Sequence, residues 1–182
     1  MQHYLVTGAN TGIGRVTALE LAKAGGHVTL ACRSLERTQP VLDEIAAAGG
    51  AAVFLPLDLG SLDGVRRSAQ AFLDTGRPLH VLINNAGLAG RKGATVDGFE
   101  MAFGVNHLGH FLFTQLLLER LREGTPARIV NVASNAHYRP SGVDFDAVQK
   151  PTASATGKDE YNVSKLANVL YSAELARRLD GS

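Results

Sequence analysis

Short runs of apolar, often β-branched residues alternate along the chain with longer stretches whose apolar positions recur at helical spacing. Runs near 3–7, 27–32, 51–57, 79–84 and 127–133 read as strands, and segments near 13–24, 35–47, 62–74, 98–122 and 160–179 read as helices. Strands that alternate with helices point to βαβ units and a parallel sheet. The expected fold class is therefore α/β: a doubly wound parallel sheet of five strands with helices on both faces. Gly25-Gly26 and Gly49-Gly50 follow two of the helices, where left-handed caps are wanted. The 98–122 helix carries apolar residues around much of its circumference, among them Phe103, Phe111, Phe113, Leu117 and Leu121. That is more than one sheet face requires, so its second side, together with the 160–179 helix, is a candidate homo-oligomer contact. Residues 135–158, with Pro140, Gly142, Pro151 and Gly157, form the one long irregular stretch, which at that length is either a binding loop or lid or a disordered surface insertion.

Two local patterns carry chemistry. The first runs from Thr7 through Gly8, Asn10, Thr11, Gly12 and Ile13 to Gly14, directly after the first strand and into the first helix. Glycines in that place let backbone approach a pyrophosphate at a helix N-terminus, and three in seven residues exceed the needs of a plain turn. An NAD site of this type expects an acidic residue about 20 positions further on, to hold the ribose 2′-hydroxyl. Ala31-Cys32-Arg33-Ser34 stands there instead, and the guanidinium of Arg33 suits a 2′-phosphate, so NADP is favoured over NAD. Arg15 either adds to the phosphate field or lies on the exposed side of its helix.

The second pattern is Tyr161 and Lys165, four residues apart on a helical stretch and so on one face. An ammonium beside a phenol favours the ionised ring oxygen, by ~4 kcal/mol at about 4 Å and an effective dielectric of about 20. Such a pair works as a general acid/base wherever a substrate is held next to it. Taken alone, the same spacing also describes a half-buried aromatic beside a snorkelling lysine.

Composition narrows the partners. The 18 Lys and Arg nearly balance 17 Asp and Glu and form no run of like charge, which argues against capture of nucleic acid or of an anionic membrane. The single cysteine, Cys32, has no partner for an internal disulfide, and the chain enters MQHYLVTG without a basic leader or apolar core, so a cytoplasmic location is expected. His107 and His110 have metal-like spacing on a helix, yet no third ligand stands nearby in the sequence, and structural roles are expected for both, with no metal site.

With these pieces assembled, the chain resembles the short-chain dehydrogenase/reductase family, and within it the retinol dehydrogenase-like branch. The resemblance is carried by TGANTGIG, LDL at 57–59, NNAG at 84–87, VNHLGHF at 105–111, VNVAS at 130–134 and YNVSK at 161–165. It implies a Rossmann-like fold. It also implies that Tyr161 is the catalytic acid/base, that Lys165 supports it and holds the nicotinamide ribose, and that Ser134 bonds the substrate oxygen. Asn106 would hold a water linking Lys165 to solvent. Gly8, Asn10, Thr11, Gly12, Ile13 and Gly14 would form the cofactor loop, Asp58 with Leu59 would meet the adenine, and Asn85, Ala86 and Gly87 would line the ribose. Plainer roles stay open: Asp58 as a cap for the helix after Gly60, Asn85 as a turn former and Ser134 as a strand-end hydroxyl. His137 and Tyr138, just past Ser134, are candidates to line a substrate pocket.

The function expected is an NADP-dependent oxidoreductase moving a hydride between nicotinamide and a small-molecule carbonyl or alcohol. The alternative is a non-catalytic NADP-binding module, and a sugar epimerase or dehydratase with the same Tyr/Lys pair is disfavoured by the glycine spacing. Family members continue past the Tyr161 helix with further strands and a substrate-covering segment. Residues 1–182 are accordingly expected to be one dinucleotide-binding domain that is incomplete at its C-terminus.

Overall fold

A computed structural model describes residues 1–180. Five strands, β1 (His3–Thr7), β2 (His27–Cys32), β3 (Ala51–Pro56), β4 (Val81–Asn84) and β5 (Arg128–Asn131), pair in parallel in the order β3-β2-β1-β4-β5. The chain winds outward from β1 to β3 and then crosses back to β4. Strand order therefore reverses between β1 and β4, and a crevice opens outside their carboxyl ends. This is the Rossmann-like sheet the sequence pattern predicts.

The helices are α1 (Gly12–Lys23), α2 (Leu35–Ala47), α3 (Leu62–Asp74), α4 (Met101–Phe103), α5 (Gly109–Glu123) and α6 (Lys158–Leu179). Leu5 packs with Phe72, Phe113 and Leu117 on one face of the sheet, and its neighbour Val6 packs with Ala18, Leu19 and Ile45 on the other. Successive strand residues point to opposite layers, and both layers are apolar, so the centre of β1 reads Tyr4-Leu5-Val6 rather than alternating with polar residues. Helices α2 and α3 start where predicted because Ser34 and Ser61 accept hydrogen bonds from the N–H groups of Arg37 (3.3 Å) and Gly64 (3.0 Å).

The predicted 98–122 helix differs. Glu100 sits buried before it, its carboxylate accepting from the Phe103 N–H at 2.8 Å, so the helix begins at Met101. A π-helical turn over Gly104–Leu108 then separates α4 from α5. Apolar periodicity does not register one residue inserted into a turn, and such insertions often mark functional positions. Part of the second apolar side is met inside the chain, where Phe103 packs on Val148 and on Ala167 of α6. Strands β4 and β5 are shorter than predicted, although the Arg128 N–H to His80 and Val132 N–H to Asn84 bonds extend their pairing at either end.

The 135–158 stretch holds two single 3₁₀ turns, Asn135–Tyr138 and Ala147–Gln149. It is pinned at its far end: the Thr152 hydroxyl donates to Glu100, and Glu160 accepts from the N–H groups of Ala153 (3.0 Å) and Ser154 (2.7 Å). Among the described residues, no helix is long and apolar enough to cross a membrane.

Candidate active site

The crevice is a cleft of about 710 Å³ running over the carboxyl ends of β1, β2, β4 and β5. Of the residues predicted for the catalytic and cofactor sites, all but Gly12 and Asn106 line it. Gly12, with φ at +56°, shapes the turn without facing the cleft, and Asn106 is fully buried behind the wall.

At the β1 end the glycine turn is set by close packing. A Cβ on Gly8 would stand 2.9 Å from Ala86, and one on Gly14 would collide with the Asn85 amide and the Gly8 carbonyl. The Asn85 side chain donates to the Thr7 carbonyl at 2.9 Å, while the Thr7 hydroxyl accepts from the Asn85 and Ala86 N–H groups, each at 2.9 Å. The strand end before the turn and the segment after β4 are thus one hydrogen-bonded body. Thr11 at the N-cap of α1 makes no side-chain cap bond, which leaves the amino end of that helix free to take an anion.

Arg33 stands exposed at the end of β2 and Arg37, in the first turn of α2, lines the cleft beside it. Sequence reasoning missed Arg37, although the Ser34 cap would have placed it one turn beyond the strand end. Arg15 turns away instead, pairing with Glu44 of α2, and does not line the cleft. Asp58 accepts from the Gly60 N–H at 3.0 Å, and the cap of α3 is Ser61, so the capping role considered for Asp58 falls to its neighbour. Arg91 and the Ala94–Val96 segment form a wall that no motif announced. That segment is held across the cleft by the Val96 N–H to Gly60 bond (3.3 Å) and by Asp97, which accepts from the Leu62 N–H at 2.8 Å.

At the other end, Tyr161 and Lys165 project from α6 with Ser134 opposite. Lys165 is 4% exposed; its ammonium lies 5.7 Å from the centre of the Tyr161 ring and donates to the Val132 carbonyl at 2.8 Å. Burial pulls its pKa below the ordinary lysine value. Ser134 accepts from the Ala136 N–H at 3.2 Å, and its own O–H donates to the Asn135 amide oxygen at a long 3.5 Å, a weak bond that a ligand oxygen in the cleft could replace. Asn106, in the π-helical turn, accepts from the Leu88 N–H (2.8 Å) and donates to the Leu88 carbonyl (2.9 Å) and to Ser164 (3.0 Å). Its own carbonyl accepts from His110 and from Asn168, each at 3.1 Å. A water relayed from Lys165 would have to meet the remaining lone pair of the Asn106 amide oxygen. His137 and Tyr138 do not line the cleft: the first bonds the Ser134 carbonyl at 2.6 Å, and the second is 81% exposed. The pinned 135–158 stretch likewise contributes no wall to it.

A glycine turn at one end of the crevice and a Tyr/Lys pair at the other belong to a chain with known relatives. Residues 2–144 match the short chain dehydrogenase family, and the chain belongs to that family. It is 50% identical over 187 residues to retinol dehydrogenase 11 of Homo sapiens, covering 98% of this chain and 56% of that protein. The chain thus spans about half the length of the curated relatives it matches. Among solved structures, an uncharacterized protein from Mycobacterium paratuberculosis superimposes with a TM-score of 0.85 at 39% identity, over 99% of this chain and 63% of that one. A metagenomic short-chain oxidoreductase in complex with NADP superimposes with a TM-score of 0.78 at 25% identity, over 98% and 76% respectively.

Proposed function

We propose that this chain binds NADP along the cleft and carries the proton-transfer groups of an oxidoreductase that interconverts a carbonyl and an alcohol. One observation carries the reading: Tyr161, Lys165 and Ser134 line the same cleft as the glycine turn. The residues present fit the dinucleotide. Gly8 and Gly14 leave no room for side chains where the backbone folds back, and the open amino end of α1 suits the pyrophosphate. Arg33 and Arg37 offer two guanidinium forks where a ribose 2′-phosphate would lie, which supports NADP over NAD.

The bound nicotinamide supplies or accepts the hydride. Tyr161 delivers the proton to the substrate oxygen, or removes it in the reverse direction. The Ser134 O–H donates to that same oxygen and stabilises the charge that develops there. Lys165 has one N–H on the Val132 carbonyl, which leaves two for the ribose hydroxyls and keeps a positive charge beside the phenol. The name of the human relative makes lipophilic alcohols and aldehydes the first substrates to try.

The test is a fluorescence titration with NADPH and NADH, followed by turnover of a carbonyl panel by the wild type and by Tyr161→Phe. Tighter binding of NADPH, with turnover lost in the variant and binding kept, is the expected result. Binding without turnover in either protein would leave only a nucleotide-binding module.

A further inference from the structure

Buried in the first turn of α5, His110 is 3% exposed and does not face the cleft, so none of the chemistry above uses it. We propose that His110 is a positioning residue whose neutral imidazole ties the strand feeding the glycine turn to the Asn106 anchor, setting the glycine-turn end of the cleft relative to Tyr161 and Lys165. The proposal rests on the oxidoreductase reading for its consequences, and on hydrogen-bond counting for its geometry.

The ring nitrogens face two different bodies. Nδ1 is 3.1 Å from the Asn106 carbonyl oxygen, which can only accept, so Nδ1 carries the hydrogen. Nε2 is then an acceptor, 2.8 Å from the Thr7 hydroxyl. Thr7 has one hydrogen and two lone pairs, and both lone pairs already serve the Asn85 and Ala86 N–H groups. Its one hydrogen has two acceptors in range, Nε2 at 2.8 Å and the Ile83 carbonyl at 3.5 Å, and the shorter contact to Nε2 takes it, which closes the count. An imidazolium would aim a second N–H at an oxygen with nothing left to offer. Burial pushes the His110 pKa down to about 4, and the positive charges that face it, on Lys165 of α6 and on His107 when protonated, act in the same direction.

The two bodies so joined are the two ends of the site. Thr7 holds Asn85 and Ala86, while Asn106 holds Leu88 and, through Ser164, the turn of α6 that bears Tyr161, since the Ser164 hydroxyl donates to the Tyr161 carbonyl at 2.7 Å. Residues 85–88 are gripped from both sides, and His110 connects the two grips. A satisfied buried network of this kind specifies one geometry, whereas a broken one leaves costly unpaired groups.

The ¹⁵N resonances of the His110 ring in the full chain, followed from pH 5 to 8, read the geometry directly. A protonated Nδ1, an unprotonated Nε2 and no titration in that range are expected; the opposite tautomer, or a midpoint near ~6.5, would overturn the proposal. His110→Gln keeps an acceptor and a donor on one side chain and is expected to hold NADPH affinity and kcat within about threefold. His110→Leu fills the space but breaks both bonds, and is expected to lose on the order of tenfold in NADPH affinity or kcat, with substrate KM unchanged and unfolding still cooperative. A folded Leu variant with unaltered affinity and kcat sinks the idea. Should it not fold, Thr7→Val removes the link together with the two N–H bonds that Thr7 accepts, so a loss of at least about tenfold in affinity or kcat is expected, and unaltered values would overturn the proposal while the ring resonances still report the tautomer. A wild type that neither binds NADPH nor turns over a carbonyl fails the oxidoreductase reading alone, and the ring resonances still decide this one.

Discussion

The cleft outside β1 and β4 measures about 710 Å³, whereas a second hollow, beside β5 and between α5 and α6, measures about 880 Å³. The larger one is lined chiefly by Leu118, Leu121, Ile129, Val130, Leu175 and Leu179, and its central polar pair is self-contained. Asn131 donates to Ser172 at 2.9 Å, and Ser172 donates in turn to the Asn168 carbonyl at 2.7 Å. The smaller one presents groups that the protein leaves partly uncommitted: the amino end of α1, two guanidinium groups, the Ser134 O–H and a buried ammonium beside a phenol. Leaving polar groups open inside a fold is costly, and a ligand is what repays it. Volume alone would favour the second hollow. Side-chain hydrogen-bonding capacity not already used by the protein favours the cleft.

Four experiments would break or sharpen that contrast. The largest effect is expected from Tyr161→Phe, which should reduce turnover by about a thousandfold while NADPH affinity, measured by fluorescence titration, stays within about twofold. Next comes Leu121→Ala on the floor of the second hollow, where the side chain is 3% exposed. It should cost about 3 kcal/mol in a denaturant melt and leave NADPH affinity alone, and a parallel loss of affinity would show that the two hollows are coupled.

The third concerns acid. His110 is held at about 4 against an ordinary 6.5, so its stabilising contribution is complete above pH 6.5 and drains away as pH falls towards 4, where the unfolded chain binds the extra proton. The span from 6.5 to about 4 corresponds to about 3 kcal/mol of stability at most. His3 and His27, also depressed chiefly by burial, add to the same slope. Urea midpoints at several pH values should show the slope, and His110→Gln should flatten it. The smallest effect is expected from Arg33→Ala, exposed as it is: about a tenfold loss of NADPH affinity with NADH affinity unchanged, and a further, smaller loss when Arg37→Ala is added.

Much of the frame was legible beforehand for physical reasons that are local. The strands at 3–7 and 27–32 and the helices at 35–47 and 62–74 end where predicted, because β-branched runs, serine caps and glycine stops act over a few residues. The 98–122 helix was misread at its start and middle, since Glu100 caps it from inside the core and the π-helical turn leaves the apolar rhythm intact. The 135–158 stretch, open between a binding loop or lid and a disordered insertion, is strapped down by Glu100 and Glu160, contacts that no reading of that stretch by itself would reveal.

What the sequence determined by itself is whatever depends on the fixed rise and turn of the backbone. Tyr161 and Lys165 share a face because they are four apart on one helix, and the glycines of the first turn must follow a strand and open a helix wherever that unit sits. Only the tertiary structure decided which distant segments meet. Arg91 and Val96 became a wall, Arg37 joined Arg33, and His110 found Thr7 across 103 residues because the sheet order puts β4 beside β1 and α5 packs on their shared face. A hydrogen-bond count closes only over all the partners a fold assembles, which is why the same histidine that reads as a structural residue in the sequence becomes, in three dimensions, the link between the two ends of the site.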